Sequence, residues 1–289
     1  MAFFAFSYVW FKIANEAYRP LTIVFFRLGI SIVLLSLFLY LTGRFEKIRK
    51  EDRVYFFFIA LFEPFLYFIF ESHGLARVSS TVASVLIATI PIFTAIGALI
   101  LFNERLSRFN YAGVVISFAG ILVFILAGES NLSFDPVGIV LMLCAVLCAT
   151  GYSLILRRLA SKYRPVYIVN VQNIIGFILF LPVFLISEGR YLPDMVFDPE
   201  AALAVAQLAI FASCGAFILF GYTVRAIGVT RANLFANIIP VLTAVFAYYT
   251  IGEIITIEKF FGIIIVISGL YMTQIRFSTG RKRKEIIDS

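Results

Sequence analysis

The chain is poor in the residues that most enzymes and nucleic-acid binders need. It holds one histidine, His73, and three cysteines, too few and too scattered to offer metal ligands at useful spacing. Neither a metal centre nor any other cofactor is expected. Cys144 and Cys148 stand one helical turn apart in an apolar run and Cys214 lies in another, so they read as small core residues and not as a disulfide framework. There is no Gly-rich phosphate loop, no Gly-x-Ser-x-Gly elbow and no aspartate-rich cluster. Charge is scarce as well: Asp, Glu, Lys and Arg make up 14% of the 289 residues, against about 25% in soluble domains. The net charge of +7 is carried in connections and the tail, so nucleic acid is not an expected partner.

What is abundant is apolar. Residues of the AVILMFWYC set make up 62% of the chain, which rules out a water-soluble globule. They gather into runs at 20–41, 54–72, 77–102, 109–127, 136–156, 165–187, 201–224, 229–252 and 258–275. Each run is near the ~20 residues that a bilayer core requires. Ahead of them, Met1 to Ala14 is apolar except for Lys12 and lacks the basic start and cleavage site of a signal peptide. It reads as a short first helix, which either lacks its opening turns or lets Lys12 snorkel to the surface. The sequence thus predicts an all-α membrane protein of ten helices. With the N-terminus inside, 18 Lys and Arg fall on cytoplasmic segments and five on the opposite side, so both termini are expected in the cytoplasm, with the chain in the plasma (inner) membrane.

An internal repeat organises these helices. At a shift of 149 residues, Thr81, Ala83, Pro91, Thr94, Ala95 and Ala98 fall on Thr230, Ala232, Pro240, Thr243, Ala244 and Ala247. Glu104, Gly113, Ile116 and Gly120 then fall on Glu253, Gly262, Ile265 and Gly269, and Tyr18-Arg19-Pro20 matches Tyr163-Arg164-Pro165 at a shift of 145. The expected halves are residues 1–128 and 129–276, followed by a basic tail at 277–289. Five helices per half force the second to enter the membrane from the opposite side, which makes an inverted repeat, as in many secondary transporters.

The segment ATIPIFTAIGALILFNERLSRFNYAGVVISFAG (88–120), its weaker echo NIIPVLTAVFAYYTIGEIITIEKFFGIIIVISG (237–269) and Phe25-Phe26-Arg27 resemble the drug/metabolite transporter superfamily, in its EamA-type branch of ten-helix permeases. The resemblance covers essentially the whole chain. It implies a 5+5 inverted bundle around a central cavity that exports or exchanges small metabolites without ATP.

Charges inside membrane spans are costly and therefore mark candidate sites. Here they are Arg27, Glu63 and Glu71. Glu63, Tyr67 and Glu71 are spaced by four, which puts two carboxylates and a phenol on one helical face, and Pro64 should kink that helix near Ala60. Arg27 and one glutamate can neutralise each other as a structural brace. The carboxylate left free would bind substrate or couple transport to protons, and the depth of Arg27 favours Glu71 as its partner and Glu63 as the free group. Asn233 and Asn237 precede Pro240, as Ser84 and Ala88 precede Pro91; the amides would either contact substrate or hydrogen-bond between helices. Trp10 with Ser7, Tyr152 with Ser153, and Ser213 with Phe217 are further candidates to line a cavity, against the plainer reading that aromatic residues pack.

Glycines seven apart, Gly113 with Gly120 and Gly262 with Gly269, form stripes for close contact with a neighbouring helix or a second copy in a homodimer. Glu104 and Glu253 are expected near helix starts capped by Ser107 and Thr256, and Arg281 to Lys284 should meet lipid headgroups of the bilayer. The expected function is export of a small metabolite, an amino acid among the candidates, by alternating access. A sugar-phosphate or nucleotide-sugar exchanger would need several cavity cations. A lipid-modifying intramembrane enzyme would need a nucleophile with its base, or clustered metal ligands, and neither is evident.

Overall fold

The computed structural model describes residues 1–94, 135–253 and 256–274, with 97, 109, 112, 113, 115–117, 119, 120 and 123; the side chains of 230, 231, 234, 237, 258, 259, 270, 273 and 274 fall outside that set. Most of the expected span 109–127, Glu104, Ser107, the Asn237 side chain and the basic tail therefore lie outside the described residues. Among the described residues the structure is helical and contains no strand.

Helix α1 is Ala2–Ala17 and α2 is Pro20–Thr42. The third span comprises α3 (Arg53–Ala60), a π-helical segment (Leu61–Leu66) and α4 (Tyr67–Arg77). Helix α5 (Ser80–Ile87) opens the fourth span, and α6 (Pro136–Ala160) and α7 (Pro165–Ser187) follow. The eighth span comprises α8 (Pro199–Gln207), a second π segment (Leu208–Ala216) and α9 (Phe217–Ile227). Short α10 (Val229–Leu234), α11 (Ile239–Ile251) and α12 (Ile257–Gln274) complete the bundle.

The boundaries have local causes. Proline stands in the first turn of α2, α6, α7 and α8, where its missing N–H is no loss. The Asp135 carboxylate accepts from Val137 and Gly138 N–H, and Asp198 from Ala201 N–H, so both cap exposed helix ends. Gly43 (φ 62°) and Gly252 (φ 67°) end α2 and α11 in the left-handed region. Two expected limits move. The third span runs on to Arg77 and not to 72, and the fourth starts at Ser80 because the Ser79 hydroxyl caps it by accepting from Val82 N–H.

Among the described residues five helical stretches are long and apolar enough to cross a bilayer: Pro20–Thr42, Lys50–Arg77, Pro136–Ala160, Pro165–Ser187 and Pro199–Ile227; Ser80–Thr94, Ile239–Ile251 and Phe260–Gly269 are shorter apolar helices. Their outer faces carry side chains no water-soluble fold would leave uncovered, such as Val33 (64% exposed) and Ile186 (82%).

The two halves touch reciprocally. Helix α2 packs on α7 and on the second π segment, while α7 packs on the first. Glu188, just after α7, accepts from Leu21 and Thr22 N–H at the start of α2; Glu46, just after α2, accepts from Arg164 N–H at the start of α7. These matching helices therefore run antiparallel, as an inverted arrangement requires. The Tyr18 hydroxyl donates to the backbone carbonyl of Asp198 and accepts from its N–H, both at 3.1 Å. Its counterpart Tyr163 donates to the Asp52 carboxylate at 2.9 Å and accepts from Arg49 N–H. Lys162 also binds Asp52, at 2.8 Å, which sets the 43–53 and 157–164 connections at one end of the bundle. The glycine stripes face each other inside the chain: a Cβ on Gly120 would lie 2.7 Å from Val266 N, and one on Gly269 would lie 2.7 Å from the Gly113 carbonyl. Glu253 accepts from Thr81 N–H at 3.2 Å, so it serves the start of α5.

Candidate functional site

The third span breaks where Pro64 stands. Glu63 is extended (φ −149°, ψ 119°), the Glu63–Pro64 peptide is cis, and the helix resumes at Tyr67. A proline here leaves the backbone without its regular hydrogen bonds, and the neighbouring helix accommodates the ring through a glycine: Gly176 of α7 has no room for a Cβ beside Pro64. The break removes Glu63 from the register it would share with Tyr67 and Glu71. The expected single face of three polar residues is thus split, with Tyr67 and Glu71 kept together by a 2.8 Å hydrogen bond from the phenol to the carboxylate.

Arg27 is fixed by three contacts. Its Nε donates to Ser213 Oγ at 3.0 Å, a terminal nitrogen lies 3.9 Å from Glu71 Oε2, and its guanidinium carbon lies 4.2 Å from the centre of the Phe68 ring. Arg27, Glu71 and Ser213 form one buried cluster joining α2, α4 and the second π segment. Glu63, with the residue 5% exposed, has no hydrogen bond or ion pair among the described residues.

Glu63 lies in the wall of a cavity of about 70 Å³ between the halves. Tyr8, Tyr67, Tyr152, Ser153, Phe217 and Asn233 share that wall, and Phe4, Phe220, Ile87, Ile90 and Ile239 make it largely apolar. Two polar atoms in it lack a protein partner, the Tyr152 hydroxyl and Asn233 Nδ2. The Tyr152 hydroxyl lies near Gln172, whose Oε1 is also unpartnered, without a well-formed hydrogen bond between them. Among the described residues no Lys or Arg side chain lines the cavity. A larger depression of about 440 Å³ lies at one end of the bundle, around Arg19, Tyr191 and Asp194, but both its Arg19 and Asp194 are exposed and it holds no buried charge.

Of the residues singled out in the sequence, Glu63, Tyr67, Tyr152, Ser153, Phe217 and Asn233 come together at the cavity. Arg27 and Glu71 pair outside its wall, and Ser7, Trp10, Ser84 and Ser213 do not line it either. The Ser84 hydroxyl bonds back to the Thr81 carbonyl at 2.8 Å, as serines within helices commonly do. Trp10 stacks with Phe6 (ring centres 5.2 Å apart) and tilts against Phe211 (5.8 Å), and Ser213 is the partner of Arg27. The Ser7 hydroxyl donates to the Phe4 carbonyl. Tyr8 and Phe4 were not anticipated; their spacing of four, which gives α1 one aromatic face, was the available signal.

A family profile described as EamA-like transporter family matches residues 1–126 and 136–275. The chain belongs to that family. It is similar to the uncharacterized transporter YcxC of Bacillus subtilis (strain 168), 24% identical over 96% of this chain and 91% of that one. It is also similar to an uncharacterized transporter of Archaeoglobus fulgidus, 26% identical over 94% of each. A solved crystal structure superposes with a TM-score of 0.69 at 18% identity, covering 94% of both chains, which supports the fold. This EamA-like protein is accordingly a multi-pass membrane protein of a transporter family.

Proposed function

We propose that this EamA-like protein is a secondary transporter that exports a small metabolite by alternating access through the cavity between its halves, with Glu63 meeting the solute or a proton. One observation carries the reading: a buried carboxylate without an ionic partner lines a cavity bounded by both halves, while the other core charges, Arg27 and Glu71, are paired. An uncompensated buried charge is costly, and a solute cation or a proton offsets that cost. The break in the third span at Glu63 supplies backbone that can rearrange, as in transporters whose sites lie at discontinuous helices. The surplus of positive charge supports a cytoplasmic location for the end holding Asp52 and Lys162, and for both termini, in an inner-membrane protein.

Proteoliposomes loaded with a metabolite panel test the proposal. Efflux or counterflow of at least one solute, lost in Glu63→Gln at unchanged protein insertion, is the expected result. Identical flux with Glu63→Gln removes Glu63 from the site, and flux of no panel member removes the transport reading.

A further inference from the structure

The wall chemistry restricts the solute by charge type, given the reading above that this cavity is the transport site. Among the described residues Glu63 is the one charged side chain in the wall, which Met1, bearing the half-buried terminal amino group, also lines. Arg27 cannot turn to hold a second charge without giving up Ser213, Glu71 and the face of Phe68 together. The rings around Glu63, those of Phe4, Tyr8, Tyr67, Tyr152 and Phe217, present π-electron density, which attracts cations and not anions. A solute carrying its own carboxylate or phosphate would bring a second anion beside Glu63 with no lysine or arginine among the described residues of the wall to neutralise it.

The wall also offers uncharged donors. Asn233 Nδ2 and the Tyr152 hydroxyl are buried and unpartnered, and a buried donor left unpaired favours any ligand that brings a neutral acceptor. We propose that the cavity, once it widens from the about 70 Å³ of this conformation, takes a monovalent ammonium joined to an apolar or aromatic body and a neutral hydrogen-bond acceptor, and that it discriminates against the matching zwitterions and anions. The ammonium sits on Glu63 among the tyrosines, the neutral oxygen accepts from Asn233 or Tyr152, and the body packs on Phe217, Ile87 and Ile239. An amino alcohol or amino amide meets these terms; a free amino acid does not.

Four probes with a common benzyl group separate the contributions: phenylalaninol, phenethylamine, phenylalanine and 3-phenylpropionate. Binding to the purified full-length protein is followed by thermal shift and competition, and transport in proteoliposomes. Phenylalaninol should bind most tightly, phenethylamine about three- to tenfold more weakly for want of an acceptor, and phenylalanine and phenylpropionate at least about tenfold more weakly than phenylalaninol. Asn233→Ala should erase the advantage of phenylalaninol over phenethylamine, and Glu63→Gln should collapse the preference for the alcohol over the zwitterion. Glu63→Asp provides the same comparison, with a weakened preference, if the glutamine variant does not fold. Equal or tighter binding of phenylalanine in the wild type overturns the proposal, as does a preference unchanged in both Glu63 variants. Transport of zwitterions or anions alone sinks this charge rule and leaves the transporter reading standing, whereas absence of flux for these probes and the whole metabolite panel removes both.

Discussion

Replacing Gly176 by alanine is a direct test of how the break at Glu63 is held. An alanine Cβ there would lie 2.7 Å from Pro64 Cδ and closer still to Cγ. Carbon atoms pack comfortably at about 3.5–4.0 Å, so α7 and the proline segment must separate by roughly 1 Å. The proline ring closes on its own backbone and cannot rotate aside. Overpacking of a close-packed interior costs about 1–3 kcal/mol, and an overlap this deep belongs at the upper end. Alanine returns about 1 kcal/mol of helix propensity relative to glycine, which leaves a net loss of about 2 kcal/mol. For a chain of this size each kcal/mol lowers Tm by about 2–4 °C, so Gly176→Ala should unfold about 4–8 °C below wild type in a thermal scan of the purified protein. Gly29→Ala is the internal control. Its Cβ would meet only Phe177 Cε2, at 4.0 Å, so it should melt at or slightly above wild type. The double variant Gly176→Ala, Pro64→Ala removes the collision and should recover part of the loss. A Gly176→Ala Tm equal to or above that of Gly29→Ala would refute the packing argument, and with it the account of how Glu63 is positioned.

Arg27→Met should leave Glu71 buried without a cation and lower stability by about 3–5 kcal/mol, with much of this regained on adding Glu71→Met; thermal unfolding of the single and double variants measures it. Lys162→Cys should react with membrane-impermeant thiol reagents only from the cytoplasmic face, and labelling in intact cells contradicts the proposed orientation. Asp135 is held below its usual carboxylate value, first by the Arg77 guanidinium donating at 3.0 Å and then by the Gly138 and Val137 amides. A lowered folded pKa adds stability that is full above the unfolded value and disappears as pH falls through the folded one. The Tm advantage of wild type over Asp135→Asn should therefore hold at neutral pH and vanish on acidification below about pH 4, and an advantage that persists in acid rules out the ionic contribution.

Helices were legible in this chain because a bilayer demands long apolar runs and because proline at 20, 136, 165 and 199 marks their starts. Pro64 likewise announced the break in the third span. The π-helical stretch Leu208–Ala216 of the eighth span carries no proline and no break, and nothing in LAIFASCGA distinguishes it from regular α-helix. Side-chain direction was the least accessible property. In a soluble protein the polar face of a helix reveals its apolar face, but the helices carrying Trp10, Ser84 and Ser213 are apolar on most sides, so these residues could not be told from cavity residues by spacing. Charge was more informative, since a buried cation must find an anion. That requirement led to Arg27 and Glu71, and the structure shows them together.

The reciprocal tyrosine contacts have a consequence for how the two faces of the membrane can be tuned. Had the halves been two identical polypeptides, each contact would be an isologous one, present twice and set by a single gene, so that any change at one face would be copied at the other. Within one continuous chain the copies are free to diverge, and they have: Tyr163 meets an ionised aspartate reinforced by Lys162, while Tyr18 meets only peptide groups of Asp198. Ionic strength weakens the first, where Lys162 is partly open to solvent, and barely touches the second. A single chain of this kind can therefore adjust the contacts at one end of its bundle by substitutions there alone, a freedom that an antiparallel pair of identical subunits lacks.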